Sequence, residues 1–162
     1  MERSRKIGFV LLLAAALISA EGVWAAVSIS VTGSWFETID ENDLVAGAGS
    51  ELKSTYESAA DQVSIDLLGA GKKSWRIDVR KVDTDWHADL GLYVRRTSDG
   101  SGNGQIAGGT SYQQVTDTYQ EFFDGSGNRR GVNVQLMLDG VSADLPCGNY
   151  LTTVYYTVVE VR

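Results

Sequence analysis

The sequence predicts an all-β protein folded as an antiparallel sandwich, and three observations support this. Apolar residues recur at every second position in several stretches, the pattern of strands that turn one face to a core. Turn-forming clusters such as GAGKKS, SDGSGNG and DGSGNRRG separate these stretches. Beyond the N-terminal run, no window shows a convincing helical repeat of apolar residues. Helices are therefore expected to be few and short.

The strands follow from these alternating stretches in chain order, at residues 27–32, 63–67, 75–79, 90–94, 132–138 and 150–161. Residues 50–61 fit one or two helical turns as well as a polar strand and loop. Six or seven short strands with long connections favour an immunoglobulin-like Greek-key sandwich. The alternation places Val134, Leu136, Val154 and Tyr156 on inward faces.

Residues 1–25 have the composition of a secretory signal. Three basic residues precede the apolar run at 7–20, and small residues follow it in VWAA. This predicts cleavage after Ala25, with Ala20 as the alternative, and a protein that is secreted or displayed on the cell surface. The competing interpretation is an uncleaved anchor, but the run is shorter than the roughly 20 apolar residues that span a bilayer. No membrane span is expected after cleavage.

The remaining chain divides into an N-terminal strand with an acidic, glycine-containing tether, residues 26–49, and a β-sandwich domain, residues 50–162. Val27, Ile29 and Val31 alternate with serine and threonine, and ETIDENDLVAGAG follows. A strand on such a tether can pair with its own sheet or with that of another molecule. Val27, Ile29 and Val31 are therefore a candidate strand-donation site, and the alternative is the first strand of the chain's own sandwich.

The composition excludes most classes of catalytic, metal-binding and nucleic-acid-binding site. A net charge of −7 disfavours nucleic acid as a partner, because an acidic chain repels phosphates. One cysteine and one histidine in 162 residues cannot form a Cys/His zinc site or a thiol pair within one chain. We expect no enzyme activity, no cofactor, no catalytic residues and no metal. Cys147 is expected to be a small, half-buried residue beside a turn.

Three sequence patterns could still form a metal-binding, catalytic or sugar-binding site. Asp99-Gly-Ser-Gly-Asn103 recurs as Asp124-Gly-Ser-Gly-Asn128 and begins like a calcium loop, but each copy lacks the acidic twelfth ligand. Two similar hairpin tips are the simpler interpretation. Asp85, His87 and Asp89 could serve a hydrolase or hold a metal, although a polar loop explains them as well. Trp35 and Trp86 could stack sugars.

The C-terminal sequence GVNVQLMLDGVSADLPCGNYLTTVYYTVV, residues 131–159, ends one strand at a turn and leads through a Pro-x-Gly-x-Tyr corner into the last strand. This pattern resembles fimbrial (pilin-type) subunits and the related spore coat protein U group. The cysteine pair common in fimbrial subunits is missing, and Val161 replaces their usual penultimate tyrosine. The resemblance implies a subunit that polymerises, in a fold that lacks one strand until a neighbour donates it.

The sequence thus favours a structural subunit whose partners are copies of itself, assembled into a fimbria-like fibre by strand donation. The alternative is a secreted sandwich module that binds a carbohydrate or another surface protein.

Overall fold

A computed structural model describes the backbone of residues 7–15 and both backbone and side chains of residues 26–161. Ala20 and Ala25, after which cleavage is predicted, lie outside the described residues. Thirteen strands are present in the described residues: β1 (Ile7–Ala15), β2 (Ser28–Thr32), β3 (Trp35–Ile39), β4 (Tyr56–Glu57), β5 (Val63–Leu68), β6 (Ser74–Asp85), β7 (Gly91–Arg96), β8 (Ser101–Gly102), β9 (Ile106–Gly108), β10 (Gln113–Gln114), β11 (Gln120–Ser126), β12 (Arg129–Asp139) and β13 (Asn149–Val161). One 3₁₀ turn spans Glu41–Asp43.

The strands form two sheets that pack face to face, which confirms the predicted all-β sandwich. The first sheet has the order β3-β1-β13-β6-β11-β9, and the second has the order β10-β7-β12-β5-β2, with β4 and β8 also paired to β12. Successive strands repeatedly change sheet, as in Greek-key sandwiches. No helix among the described residues is long and apolar enough to cross a membrane.

The core lies between the sheets, where the alternating residues meet. All four residues predicted to face inward, Val134, Leu136, Val154 and Tyr156, are fully buried. Trp75 is also fully buried, and its indole nitrogen donates to the carbonyl of Gly127 at 2.7 Å, so this polar atom has a partner inside the core. A smaller cluster at one end contains Ile39, Tyr56 and Tyr150.

The tether predicted at residues 37–49 contains more regular structure than its composition suggests. Its first residues complete β3, which ends at the buried Ile39. Asp40 then caps the 3₁₀ turn: its carboxylate accepts from the backbone N–H of Asn42 at 2.9 Å. A bridge between Leu44 and Leu52 closes the following loop. The segment therefore runs along the sandwich rather than away from it.

Residues 50–61 contain no helix, so the strand-and-loop interpretation is the correct one. The short β4 pairs with β12 at Leu138 and Met137. Ser58 continues this contact, because its backbone N–H donates to the carbonyl of Leu136 at 2.9 Å. Its hydroxyl accepts from the N–H of the same leucine, also at 2.9 Å.

Candidate functional site

Of the candidate donor residues, Ile29 and Val31 lie in β2, the last strand of the second sheet, and Val27 immediately precedes it. Among the described strands β2 pairs with β5 alone, in an antiparallel register that sets Ile29 beside Leu67. Val27 and Ile29 are each 7% exposed, and Val31 is half-buried against the same core. In the single chain these three side chains thus share one inward face beside β5.

β2 and β3 belong to opposite sheets although only Gly33 and Ser34 separate them. The side-chain amide of Gln62 donates to the carbonyl of Ser34 at this corner. The N-terminal strand of the sandwich therefore crosses from one sheet to the other, so that β3 enters the sheet that contains the C-terminal strand β13.

β3 and β13 are not neighbours, because β1 lies between them. β1 runs parallel to β13, with Gly8 beside Asn149 and Ala15 beside Tyr156. It runs antiparallel to β3, with Ile7 beside Ile39 and Leu11 beside Trp35. We call this strand position the slot. Its two walls are separated by two strand spacings, or about 9.5 Å.

The slot is occupied by residues 7–15, which the sequence analysis predicts to be part of a removable signal. β1 is also the only strand that pairs with β3 among the described residues. On the other side, β13 retains a long antiparallel ladder with β6. Without residues 7–15, one edge of β13 and both edges of β3 would have backbone groups with no ladder partner, which is costly in a sheet.

The two Asp-Gly-Ser-Gly-Asn loops pack against each other. A Cβ at Gly102 would lie 2.0 Å from the carbonyl oxygen of Asn128, and one at Gly127 would lie 2.2 Å from that of Asn103. The contacts are thus reciprocal: the second glycine of each copy meets the asparagine of the other. The carboxylate of Asp99 pairs with the guanidinium of Arg96. The repeat therefore has a structural explanation, in which two loops need glycine to approach closely.

Asp85, His87 and Asp89 do not converge on a site. His87 Nδ1 lies 3.5 Å from a carboxylate oxygen of Asp89, and its ring packs edge-on against Tyr150. Among the described residues no group of three or more His, Cys, Asp or Glu side chains is arranged to hold a metal ion. The nearby Asp83 accepts from the hydroxyl of Thr152 at 2.7 Å, which joins β6 to β13.

Trp35 and Trp86 are half-buried rather than open platforms. Both pack against the two core clusters, and the indole nitrogen of Trp86 donates to the carbonyl of Leu90 at 2.9 Å.

Cys147 is exposed, so its predicted half-burial is wrong. The turn residues around it project outward, and the neighbouring Tyr150 hydroxyl closes the corner by donating to the carbonyl of Pro146 at 2.6 Å.

The exposed aromatic surface lies elsewhere, on the outer face of the first sheet. The guanidinium of Arg80 lies 4.7 Å from the ring centre of Tyr119 and 5.1 Å from that of Tyr155. Tyr119 is 48% exposed, and hydrogen bonding to Thr157 and then to Arg80 lowers the pKa of its hydroxyl. Sequence reasoning missed this group because its members lie on three different strands or loops.

A hollow of about 480 Å³ opens near the end of β13, and the start of the second Asp-Gly-Ser-Gly-Asn loop borders it. Arg76, Glu121 and Asp124 line it together with the apolar Ile106 and Val161. The Arg76 side chain is already engaged by Asp78, with Nε 2.6 Å from the carboxylate oxygen.

Comparison with known proteins does not assign the chain to a family. No protein-family model matches it, and no curated protein matches it.

Proposed function

We propose that the protein is an exported structural subunit that polymerises into a fimbria-like fibre by strand donation. The slot is the observation that carries this proposal. A segment predicted to be removed with the signal occupies a central strand position, so the processed chain would have an incomplete sheet. An incomplete sheet offers main-chain hydrogen bonds to an extended segment, and its core offers pockets to every second side chain.

The proposed donor is β2 of a neighbouring copy together with the preceding Val27, a segment that carries Val27, Ile29 and Val31. It has the alternation that such a slot requires, with apolar residues for the core face and serine or threonine for the other. In its own sandwich, β2 has an edge position with one ladder among the described strands, and Gly33 and Ser34 separate it from β3. Transfer of β2 to the slot of a neighbour would exchange this edge position for one flanked by strands on both sides.

Ile29→Asp in the processed protein, residues 26–162, is expected to abolish polymers while leaving a folded sandwich. A carboxylate in the pocket for Ile29 would be buried without a partner, which is very costly. Ser30→Asp is the matched control, because Ser30 is exposed on the same strand and should leave polymers intact. Size-exclusion chromatography gives the assembly state, and circular dichroism reports folding.

The opposite result would be a wild-type protein that stays monomeric at every concentration, together with an Ile29→Asp variant that is unfolded. That pair of observations would make β2 a permanent strand of its own sandwich and would end the fibre proposal.

A secreted carbohydrate-binding module is the second candidate, and the group of Arg80, Tyr119 and Tyr155 favours it. An exposed ring can stack on the apolar face of a sugar, and an arginine beside it can donate to hydroxyls. Tyr119→Ala should then remove retention on a glycan column, whereas Tyr93→Ala on the other sheet should not. Equal retention of the two variants, or no retention of the wild-type protein, would exclude this surface as a glycan site.

A further inference from the structure

We propose that residues 7–15 are a placeholder that keeps the slot closed in the unprocessed chain, so that removal of the signal is the step that makes the subunit competent to assemble. This inference rests on the proposed strand donation and adds its regulation. One strand position cannot hold two strands, so β1 and an incoming donor compete for the same backbone groups of β3 and β13.

The closed state is a complete sheet. With β1 in place, the ladder pairs Gly8 through Ala15 with Asn149 through Tyr156 on one side. On the other side the ladder extends from the Ile7–Ile39 pair to the Leu11–Trp35 pair. A donor would have to displace both of these ladders before it could form its own ladders with β3 and β13. While β1 remains covalently attached, it re-forms its pairs at high effective concentration.

Both walls of the slot also have contacts with parts of the fold other than β1. Ile39, at the end of β3, is 1% exposed in the cluster that also contains Tyr56 and Leu138. Trp35, at its beginning, packs on both core clusters. The opposite wall, β13, is fixed along its length by β6. We expect these contacts to keep both walls in place when the placeholder leaves, so that the strand position becomes free.

The sequence of the placeholder suits a temporary occupant. The first sheet has one face toward the core and one toward solvent, which favours strands of alternating polarity. Residues 7–15 read IGFVLLLAA and are apolar at every position, whereas residues 27–32 read VSISVT. An all-apolar sequence has no polar set of residues suited to the solvent face of such a sheet, so an alternating donor is the better match.

The predicted cleavage point lies where a cut would release the placeholder. Val27 lies beside the C-terminal end of β13, where its backbone N–H donates to a carboxylate oxygen of Glu160 at 3.1 Å. Ala26 is exposed. A cut after Ala25 would leave residues 7–15 bound through noncovalent contacts alone, without the tether that favours their return.

A reversible lock in the full chain tests the placeholder. Val10 and Phe36 are register partners across β1 and β3, and Phe36 is 61% exposed, so its replacement spares the core. Paired antiparallel residues have Cα atoms about 4.5–5.5 Å apart, which suits a disulfide. The test protein carries Val10→Cys and Phe36→Cys, Cys147→Ser to avoid mispairing, and a specific protease sequence in place of residues 19–25.

Four states of this one protein are then compared: uncut or cut, each oxidised or reduced. Size-exclusion chromatography measures polymer, and a fluorescent peptide of residues 26–36 (AVSISVTGSWF) measures access to the slot. Only the cut and reduced state should shift from monomer to large species and bind the peptide. Re-oxidation before polymer forms should preserve the monomer.

Each other outcome has a distinct meaning. If the uncut, reduced chain polymerises and binds the peptide as well as the cut chain, the placeholder is wrong while strand donation stands. If the cut, oxidised chain does so, the slot is not the acceptor and the placeholder is again wrong. Peptide binding without polymer, only in the cut and reduced state, would support the placeholder and overturn the fibre. No polymer and no peptide binding in any state would overturn both.

Discussion

Leu136→Ala is expected to lower the free energy of unfolding by about 2–5 kcal/mol, through lost burial and a residual cavity. Leu136 is fully buried in the middle of β12, beside Val94 of β7. Its backbone also anchors the segment around Ser58 on the other edge, so collapse of the surroundings into the cavity is restricted. Equilibrium denaturation in urea measures the effect.

Met137→Ala is the matched control, because the next residue along the strand has its side chain on the outer, half-buried face. Its cost should be much smaller than that of Leu136→Ala. Equal costs for the two variants would mean that the register of β12 in solution is shifted by one residue, which would turn every side chain of the strand to the opposite face.

Gly127→Ala is expected to destabilise the protein far more than Gly131→Ala, although the two glycines have almost the same φ angle. Their φ angles are +70° and +66°, so each alanine incurs a left-handed penalty of about 1–2 kcal/mol. A Cβ at Gly131 meets nothing within 4 Å, whereas one at Gly127 meets the carbonyl oxygen of Asn103. The difference between the variants therefore isolates the close approach of the two loops.

The clash also affects the core. The carbonyl of Gly127 accepts the indole N–H of the buried Trp75, and a shift of this loop would leave that donor unpaired at a cost of about 1–3 kcal/mol. Thermal or chemical denaturation of both variants, with tryptophan fluorescence as the probe, measures the difference. If they unfold together, the loops do not pack on each other in solution.

Six strands of the sandwich, β2, β5, β6, β7, β12 and β13, were predictable because their side chains alternate. β5, β7, β12 and β13 all begin within three residues of the positions that the alternation indicates. β11 was missed for a physical reason: its ladder with β6 is irregular between Glu121 and Phe123, and both Phe122 and Phe123 are buried. A bulge turns two consecutive residues toward the core and breaks the period that sequence reasoning detects.

The sequence predicts the candidate donor residues but not the slot. The apolar face of Val27, Ile29 and Val31 follows from local alternation, and these residues do share a face. The slot does not follow from sequence, because it depends on pairing between β1 and β13, whose partners lie more than 130 residues apart. Periodicity indicates which face of a strand is buried but not which strand lies next to it.

The interlocked glycine loops determine where the molecule tolerates added sequence. Hairpin tips are ordinarily the first choice for an epitope or a fluorophore-binding peptide. Here such a graft would force apart the two loops at residues 99–103 and 124–128 and would displace the Gly127 carbonyl that accepts from Trp75. The turn at residues 46–50 closes mainly on itself, through Ser50, and is almost wholly exposed. It is therefore the place to attach a reporter for following assembly.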